Sequence, residues 1–186
     1  MLKTLVLICV GMVAIMGLRW VWGLAFSFNA QTPEDYRDTQ PVFDITEALN
    51  GPMDAEGIIY DFKGRVISRF TARMVGTWDG NVGTLSEDFV YATGTKQHRQ
   101  WNLTMGQDGH FTSTADDIIG TGTGRQMGSA VRLAYRIRLP EEAGGHVLDV
   151  VDWMYLMENG AILNKSEFRK FGIKVGELVA TFRKAE

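Results

Sequence analysis

The fold class is decided by the stretch RVISRFTARMVGTW, residues 65–78. Its apolar side chains occupy even positions, at Val66, Phe70, Met74 and Trp78. The odd positions include Arg65, Arg69 and Arg73. Successive side chains of a β-strand point to opposite faces, so this alternation predicts a strand with an apolar inner face and a basic, solvated outer face.

The same alternation recurs along the chain between turn signals. Residues 131–139, VRLAYRIRL, place apolar side chains at odd positions and arginines at 132, 136 and 138. Clusters of Gly, Asn and Asp, such as WDGN at 78–81 and ENG at 158–160, accept the positive φ angles of tight turns. We predict nine strands, at residues 55–62, 65–77, 82–92, 96–105, 110–121, 130–139, 146–157, 161–169 and 176–183.

Consecutive strands without intervening helices predict an all-β fold. Closure of the sheet removes the exposed edges that an open sheet would have to protect. We therefore expect an antiparallel up-and-down barrel of about 8–10 strands. A barrel of this size holds either packed side chains or one small ligand.

Composition excludes several classes of function. The chain has 186 residues, a formal net charge of −3 and one cysteine, Cys9. The charge predicts no nucleic-acid partner, and a single cysteine excludes a disulfide framework. His98, His110 and His146 stand singly, without metal-ligand spacing, so we predict neither a metal site nor a cofactor.

The N-terminal segment is apolar. After Lys3 it runs without a charge from Leu5 to Leu18, and the whole segment reaches the roughly 17–25 residues that a bilayer span needs. The candidate signal-peptide cleavage site, FNA at residues 28–30, has the bulky Phe28 where a small residue is required, so we expect no cleavage there. We predict a transmembrane signal anchor at 1–28, a tether at 29–42 and a barrel domain at 43–186. The barrel would then face the periplasm from a single-pass anchor in a bacterial cell membrane.

A short helix should precede the barrel. In FDITEALNG, residues 43–51, Asp44 can cap the first turn, with Glu47 three residues later. Ile45 and Leu49 lie four residues apart, on one face. Gly51 is placed to end the turn.

The glycine-rich stretch IIGTGTGRQMGSA, residues 118–130, resembles a phosphate-binding loop only superficially. A dinucleotide loop requires a helix after its last glycine, whereas an alternating strand follows here. We interpret the stretch as a strand end, curved at Gly120 and Gly122, followed by a turn at the barrel rim.

Two polar residues share faces with apolar ones. Glu87 lies on the face of Leu85 and Phe89, and Arg99 on the face of Trp101. A turn centred on Gly94 would make Glu87 and Arg99 diagonal cross-strand neighbours. They form either a structural ion pair in the barrel wall or an anchor for a polar head group.

Three aspartates are further candidates. Asp116 and Asp117 are adjacent on a predicted strand, so one of them should face inward. Asp152 lies beside Trp153 in an apolar run, where burial would raise its pKa. It is either a hydrogen-bonded structural residue or a general acid or base.

Six motifs together resemble a known family. They are GTWDG (76–80), LSEDFVY (85–91), RQWNL (99–103), DDIIGTGTG (116–124), DWMYLMENGAILNKS (152–166) and KFGIKVGE (170–177). The family comprises uncharacterised, lipocalin-like bacterial envelope proteins, many described as lipoproteins. The resemblance runs from about residue 43 to 184 and implies a calycin-type barrel. Its members are often encoded near fatty-acid-modifying enzymes. This chain departs from the family in lacking a lipobox.

We therefore expect a membrane-anchored, lipocalin-like protein that binds an apolar small molecule, a fatty acyl chain or lipid. The alternatives are an enzyme or accessory subunit of membrane fatty-acid modification, with Asp116 or Asp152 as acid or base, and a filled barrel that serves as a scaffold for envelope protein partners. The predicted apolar walls of the binding site are Trp78, Phe89, Tyr91, Trp101, Tyr135 and Trp153. The predicted polar fixing points are Glu87, Arg99, Asp116 and Asp152.

Overall fold

Ten antiparallel strands form a closed barrel in the computed structural model, which describes residues 2–25 and 27–185. They are β1 (Gly51–Asp61), β2 (Val66–Asp79), β3 (Val82–Tyr91), β4 (Lys96–Met105), β5 (His110–Thr114), β6 (Gly122–Met127), β7 (Ala130–Arg138), β8 (Val147–Leu156), β9 (Ile162–Lys170) and β10 (Ile173–Lys184). Each strand pairs with the next along the chain, and β1 pairs with β10 to close the sheet. The predicted all-β, up-and-down barrel is confirmed.

The strand predicted at 110–121 is interrupted. β5 ends at Thr114, where the Ile118 amide donates to the Ala115 carbonyl and turns the chain out of the ladder. Gly120 adopts a φ of +74°, and pairing resumes in β6 at Gly122. The predicted strand thus ends early, and β6 lies in residues 122–127, where no strand was predicted, which gives ten strands in place of nine.

A short helix, α2 (Ile45–Ala48), plugs one end of the barrel. As predicted, Asp44 caps it, since the Asp44 carboxylate accepts the Thr46 amide proton at 2.8 Å. Phe43, Ile45 and Leu49 are buried there and seal the lumen. We call this end the plugged end. The opposite end, where the β1–β2 and β9–β10 turns lie, is the mouth.

Residues 29–42, predicted as a tether, lie along the outer wall of the barrel. The Tyr36 ring packs 5.3 Å from Trp153 and 5.6 Å from Tyr155. Asn29 donates a hydrogen bond to Glu167 at 3.1 Å. Two short 3-10 turns shape this segment, at Phe28–Ala30 and Pro33–Tyr36.

The first helix, α1 (Leu2–Ala25), precedes these turns. Within the part of the chain that the structure describes, no helix has both the length and the apolar character that crossing a membrane requires. The transmembrane anchor predicted at 1–28 is therefore not confirmed. Met1 and Phe26 of that segment, and Glu186 of the predicted barrel domain, lie outside the described residues.

Candidate functional site

The barrel encloses an open lumen with a volume of about 1190 Å³. Leu85, Leu103, Phe111 and Leu133 line it near the plugged end. An aromatic group lines it toward the mouth: Phe70, Phe89, Tyr91 and Phe168. Because the lumen is not filled by side chains, the barrel has room for a ligand.

The aromatic group packs edge to face. The Phe70 ring lies 5.3 Å from Phe89 and 6.0 Å from Tyr91, both at steep interplanar angles. Such edge-to-face pairs hold aromatic rings more firmly than area burial alone. The Tyr91 hydroxyl donates to Gln97 at 2.8 Å, which fixes its ring against the wall. The lumen therefore has a preformed apolar surface near the mouth.

Polar residues form a cluster at mid-height, between these two apolar zones. We call it the lumen cluster: Glu87, Arg99, Asp117, Tyr135, Asp152 and Ser166. Alternating positions on β3, β4, β7, β8 and β9 point these side chains inward, except that Asp117 comes from the loop after β5. Trp101 packs against the cluster, with its ring 5.2 Å from Tyr135.

The ion pair of the cluster joins Arg99 to Asp117. The Arg99 Nε and Nη2 atoms lie 3.0 and 2.5 Å from Asp117 Oδ2. The expectation that Glu87 and Arg99 form the ion pair is therefore wrong. These two residues face each other directly in the β3–β4 register, but the guanidinium binds the loop carboxylate, with its planar fork directed to one oxygen.

Glu87 is bound differently. Its Oε2 atom accepts a hydrogen bond from the Trp101 indole at 3.2 Å, and the side chain is buried. Burial raises the pKa of Glu87 to about 7, although the neighbouring Arg99 charge opposes the shift. Glu87 therefore exchanges a proton in the neutral range.

Asp152 has a similar environment. Burial raises the pKa of Asp152 to about 6, while the nearby hydroxyl groups of Ser166 and Tyr135 work in the opposite direction. Its Oδ1 atom is buried and has no hydrogen-bond partner in the described chain. The sequence-based expectation that burial raises the pKa of Asp152 agrees with this environment.

The inward carboxylate of the Asp116–Asp117 pair is Asp117. Asp116 is exposed and lies outside the cavity, which corrects its place among the predicted fixing points. The two residues belong to the loop after β5, where strand parity does not apply. The second Asp117 oxygen, Oδ1, is buried, and no described residue forms a hydrogen bond with it.

Two predicted wall residues lie elsewhere. β8 directs the side chains at its even positions into the lumen, so Trp153 points outward. It is nevertheless fully buried, because Tyr36 packs over it on the outside of the barrel. Trp78 packs over Gly83 at the plugged end, where a Cβ on the glycine would lie 2.4 Å from the indole. The other predicted residues line the cavity: Glu87, Phe89, Tyr91, Arg99, Trp101, Tyr135 and Asp152.

Sequence reasoning missed several lining residues. Asp117, Ser166 and Asn164 contribute polar groups, and Phe70 and Phe168 contribute apolar ones. Phe70 could have been found, because alternation in residues 65–78 already places it on the inner face. Asn164 and Ser166 share the even face of β9 with Ile162, which is the pattern that would have indicated them.

The glycine-rich stretch serves packing. A Cβ on Gly124 would lie 2.2 Å from the Phe111 ring, and one on Gly122 would lie 2.4 Å from Ser113 Oγ. Both glycines therefore let β5 side chains lie across β6. Gly120 is in the loop near the mouth. The predicted turn at the barrel rim is the β6–β7 turn at Gly128, at the plugged end, where the Gly128 carbonyl accepts the Phe43 amide proton. The predicted strand end at Gly120 and Gly122 is wrong, because Gly122 begins β6.

The histidines are dispersed. His98 bonds to Asp88 on the exterior at 2.8 Å, and His146 contacts Lys170 at 3.0 Å near the mouth. Among the residues described, no three His, Cys, Asp or Glu side chains are grouped to hold a metal ion.

Sequence comparison assigns the chain to a family. A family model described as a protein of unknown function (DUF3833) matches residues 22–184. The chain belongs to the DUF3833 family. The match confirms membership of an uncharacterised family, while the envelope and lipoprotein character expected from the resemblance is not part of that description. No curated protein matches the DUF3833 chain significantly.

The barrel of this DUF3833 protein is similar to several solved structures. Rv2717c from M. tuberculosis has 14% identity and a TM-score of 0.56, over 80% of this chain and 100% of its own. The S-type phycobiliprotein lyase CPES from Guillardia theta has 7% identity and a TM-score of 0.54, over 76% and 91%. A DUF3598 protein from Nostoc punctiforme has 10% identity and a TM-score of 0.53, over 78% and 51%. At these identities the likeness concerns the barrel fold alone.

Proposed function

We propose that this DUF3833 protein binds one elongated, apolar small molecule, with a lipid acyl chain in the barrel lumen. The observation that carries the proposal is the open lumen, sealed at one end and lined mainly by apolar side chains. Its volume of about 1190 Å³ exceeds that of most small-molecule pockets, roughly 300–1,000 Å³. A molecule of lipid size is the natural occupant.

The lumen cluster would hold the polar part of that molecule. Among the residues that the structure describes, no donor reaches the buried oxygens Asp117 Oδ1 and Asp152 Oδ1. Unpaired buried acceptors destabilise a fold, and a ligand that offers O–H or N–H groups would satisfy them. The ligand should therefore carry hydrogen-bond donors at mid-lumen, with apolar parts on either side.

The charges of the cluster oppose a free carboxylate. Three carboxyl groups, of Glu87, Asp117 and Asp152, surround the single guanidinium of Arg99, and Asp117 already binds that guanidinium. A further carboxylate would meet like charges in a desolvated site. Neutral lipids with hydroxyl or amide groups, such as a monoacylglycerol, fit the cluster better than a free fatty acid.

Displacement of a fluorescent apolar dye tests this proposal. A monoacylglycerol should displace the dye at lower concentration than the fatty acid of the same chain length. Leu85→Trp, which narrows the lumen from β3, should weaken dye binding, whereas Val90→Trp on the exposed face of β3 should not. Equal binding by both variants, or preference for the fatty acid, would contradict the proposal.

Acid–base catalysis on a lipid is a second candidate function. It is favoured by Asp152, whose burial raises its pKa to about 6, beside Tyr135 and Ser166. Asp152→Asn keeps the shape of the side chain but removes the proton transfer. If the deletion strain has an altered membrane acyl-chain profile and the Asp152→Asn strain reproduces it, catalysis is supported. Unchanged profiles in both strains would remove catalysis.

We also propose attachment to a membrane through α1, with the barrel in the periplasm. Support comes from apolar side chains that are each more than half exposed on this helix: Ile8, Val10, Met12, Val13, Ile15, Met16 and Leu18. Such a surface favours an apolar environment. Alkaline phosphatase fused to the C-terminus should be active, and the protein should sediment with membranes. An inactive fusion would contradict the periplasmic location.

A further inference from the structure

The mouth carries large apolar side chains that contact little. Phe171 is 90% exposed, Ile173 69%, Phe62 65% and Ile67 63%. We call these four residues the mouth rim. They lie in or beside the β1–β2 and β9–β10 turns, which are neighbours because β1 pairs with β10, for instance Asp61 with Gly176. The four exposed apolar side chains therefore lie on adjacent strands at the same end of the barrel, beside the opening of the lumen.

Phe171 has no structural reason to be aromatic. It adopts a φ of +52°, and Gly172 follows with a φ of +77°. Positive φ is unfavourable for a bulky residue, and tight hairpin turns of this kind normally use Asn, Asp or Gly. A phenylalanine here adds neither turn stability nor core packing, which indicates a role at the surface.

Basic side chains surround the rim. The Lys63 and Lys170 ammonium groups lie 5.4 and 5.9 Å from the Phe62 and Phe171 rings. Arg65 lies in the β1–β2 turn, and Lys174 is the second residue of β10. Four basic side chains thus stand beside the apolar rim.

The acidic groups of the same turns are neutralised. Asp61 binds Arg65 at 2.6 Å, and Glu177 binds Lys174 at 3.3 Å. Lys63 and Lys170 form no salt bridge within the described chain. The rim has this basic surplus on a chain whose formal net charge is −3.

We propose that the mouth rim docks on the surface of an anionic lipid bilayer, with Phe62 and Phe171 inserted at headgroup level and the lumen open toward the membrane. Phenylalanine side chains enter the boundary between headgroups and acyl chains, and basic residues beside them bind anionic headgroups. Lys63 and Lys170 would each bind a lipid phosphate while remaining next to an inserted ring, because each ammonium group already lies over the adjacent aromatic face.

The path of the N-terminal segment agrees with this orientation. Phe28 lies 4.9 Å from the Lys165 ammonium group, and Asn29 binds Glu167. Both contacts are on the outer face of β9, the strand that leads into the Phe171 turn. The chain from α1 therefore reaches the barrel beside the strand that carries the rim. Docking of the rim does not depend on which molecule the lumen binds.

Site-specific labelling of the full chain tests the docking. An environment-sensitive fluorophore is placed at Phe62→Cys, or at Asn159→Cys in the turn of the plugged end, each with Cys9→Ser. Vesicles contain phosphatidylcholine alone or mixed with phosphatidylglycerol. We expect a blue shift at position 62 only with phosphatidylglycerol, reversed by salt, and no shift at position 159. Equal shifts at both positions, or none at 62, would overturn the proposal.

A second variant separates docking from folding. Phe171→Asn suits a positive φ, so it should preserve the fold while abolishing most of the shift reported at position 62. The matched control, Val82→Asn, removes an exposed apolar side chain near the plugged end and should leave the shift unchanged. A shift that occurs without vesicles and grows with protein concentration would show a second copy on the rim and overturn the proposal. Dye binding in the lumen should be the same in both variants, so failure of lumen binding would be seen separately.

Discussion

Arg99 on β4 and Asp117 in the loop after β5 form an ion pair inside the lumen, with 2.5 Å between Nη2 and Oδ2. The pair ties an irregular loop to the barrel wall at mid-height. Glu87, which faces Arg99 in the strand register, keeps a hydrogen bond to Trp101 instead. The lumen thus contains one paired carboxylate and two with raised pKa values, an arrangement with consequences for stability.

Asp117→Asn should destabilise the protein by about 1–3 kcal/mol, because it removes the carboxylate that binds the partly buried Arg99 guanidinium. The side chains of Arg99 and Asp117 are 16% and 25% exposed, which keeps the cost below that of a fully buried pair. Urea unfolding measures the change in the free energy of unfolding. The matched variant Asp116→Asn, on the exposed neighbour, should change the free energy of unfolding by less than about 0.5 kcal/mol. Similar costs for both variants would contradict the role of the ion pair.

Stability should fall as the pH rises from about 4 to above 7. The pKa values of Glu87 and Asp152 are raised from 4.5 and 3.8 to about 7 and about 6, so between these limits the folded state binds more protons than the unfolded state. Unfolding becomes easier with pH under that condition, and the loss is complete above the folded-state values.

Urea unfolding at several pH values measures this slope. Glu87→Gln should flatten the upper part of the profile, near pH 7, and leave the lower part in place. A wild-type protein whose stability rises from pH 5 to pH 8 would show that these carboxyls are not buried as described.

Much of the barrel is predictable because its cause is local. Side-chain alternation in residues 65–78 and 131–139 reports burial directly, and the helix cap at Asp44 depends on residues within two positions. The lining residues Glu87, Arg99 and Asp152 were found for the same reason. Each lies on a regular strand, where parity decides the face.

The rest depends on contacts between distant segments. Parity places Trp153 opposite Asp152, but only the fold shows that Tyr36, far earlier in the chain, covers it. Asp117 is inward because a turn interrupts the strand, and no spacing in the sequence indicates which aspartate that turn will direct to Arg99. The aromatic rim at Phe62 and Phe171 requires knowledge that β1 and β10 are neighbours.

Gly124→Ala should destabilise the barrel by about 1–3 kcal/mol through overpacking. Its Cβ would lie 2.2 Å from the ring of Phe111, which also lines the lumen. Thermal unfolding measures the cost. In a Phe111→Leu background the same change should cost less, because the ring that it meets is absent. Additive effects of the two substitutions would rule out this contact as the reason for the glycine.

Tyr36→Ala should release residues 29–42 from the outer wall and expose Trp153. The Tyr36 ring contacts Trp153 and Tyr155, and its hydroxyl donates to Gln31 at 2.6 Å, so one side chain carries both apolar and polar contacts. We expect a loss of about 2–4 kcal/mol in the free energy of unfolding and faster proteolysis within 29–42. Tyr36→Phe keeps the ring and loses only the hydrogen bond, at a cost of about 1 kcal/mol. If both variants are cleaved at the same rate, the hydroxyl, and not the ring packed on Trp153, holds the segment to the barrel.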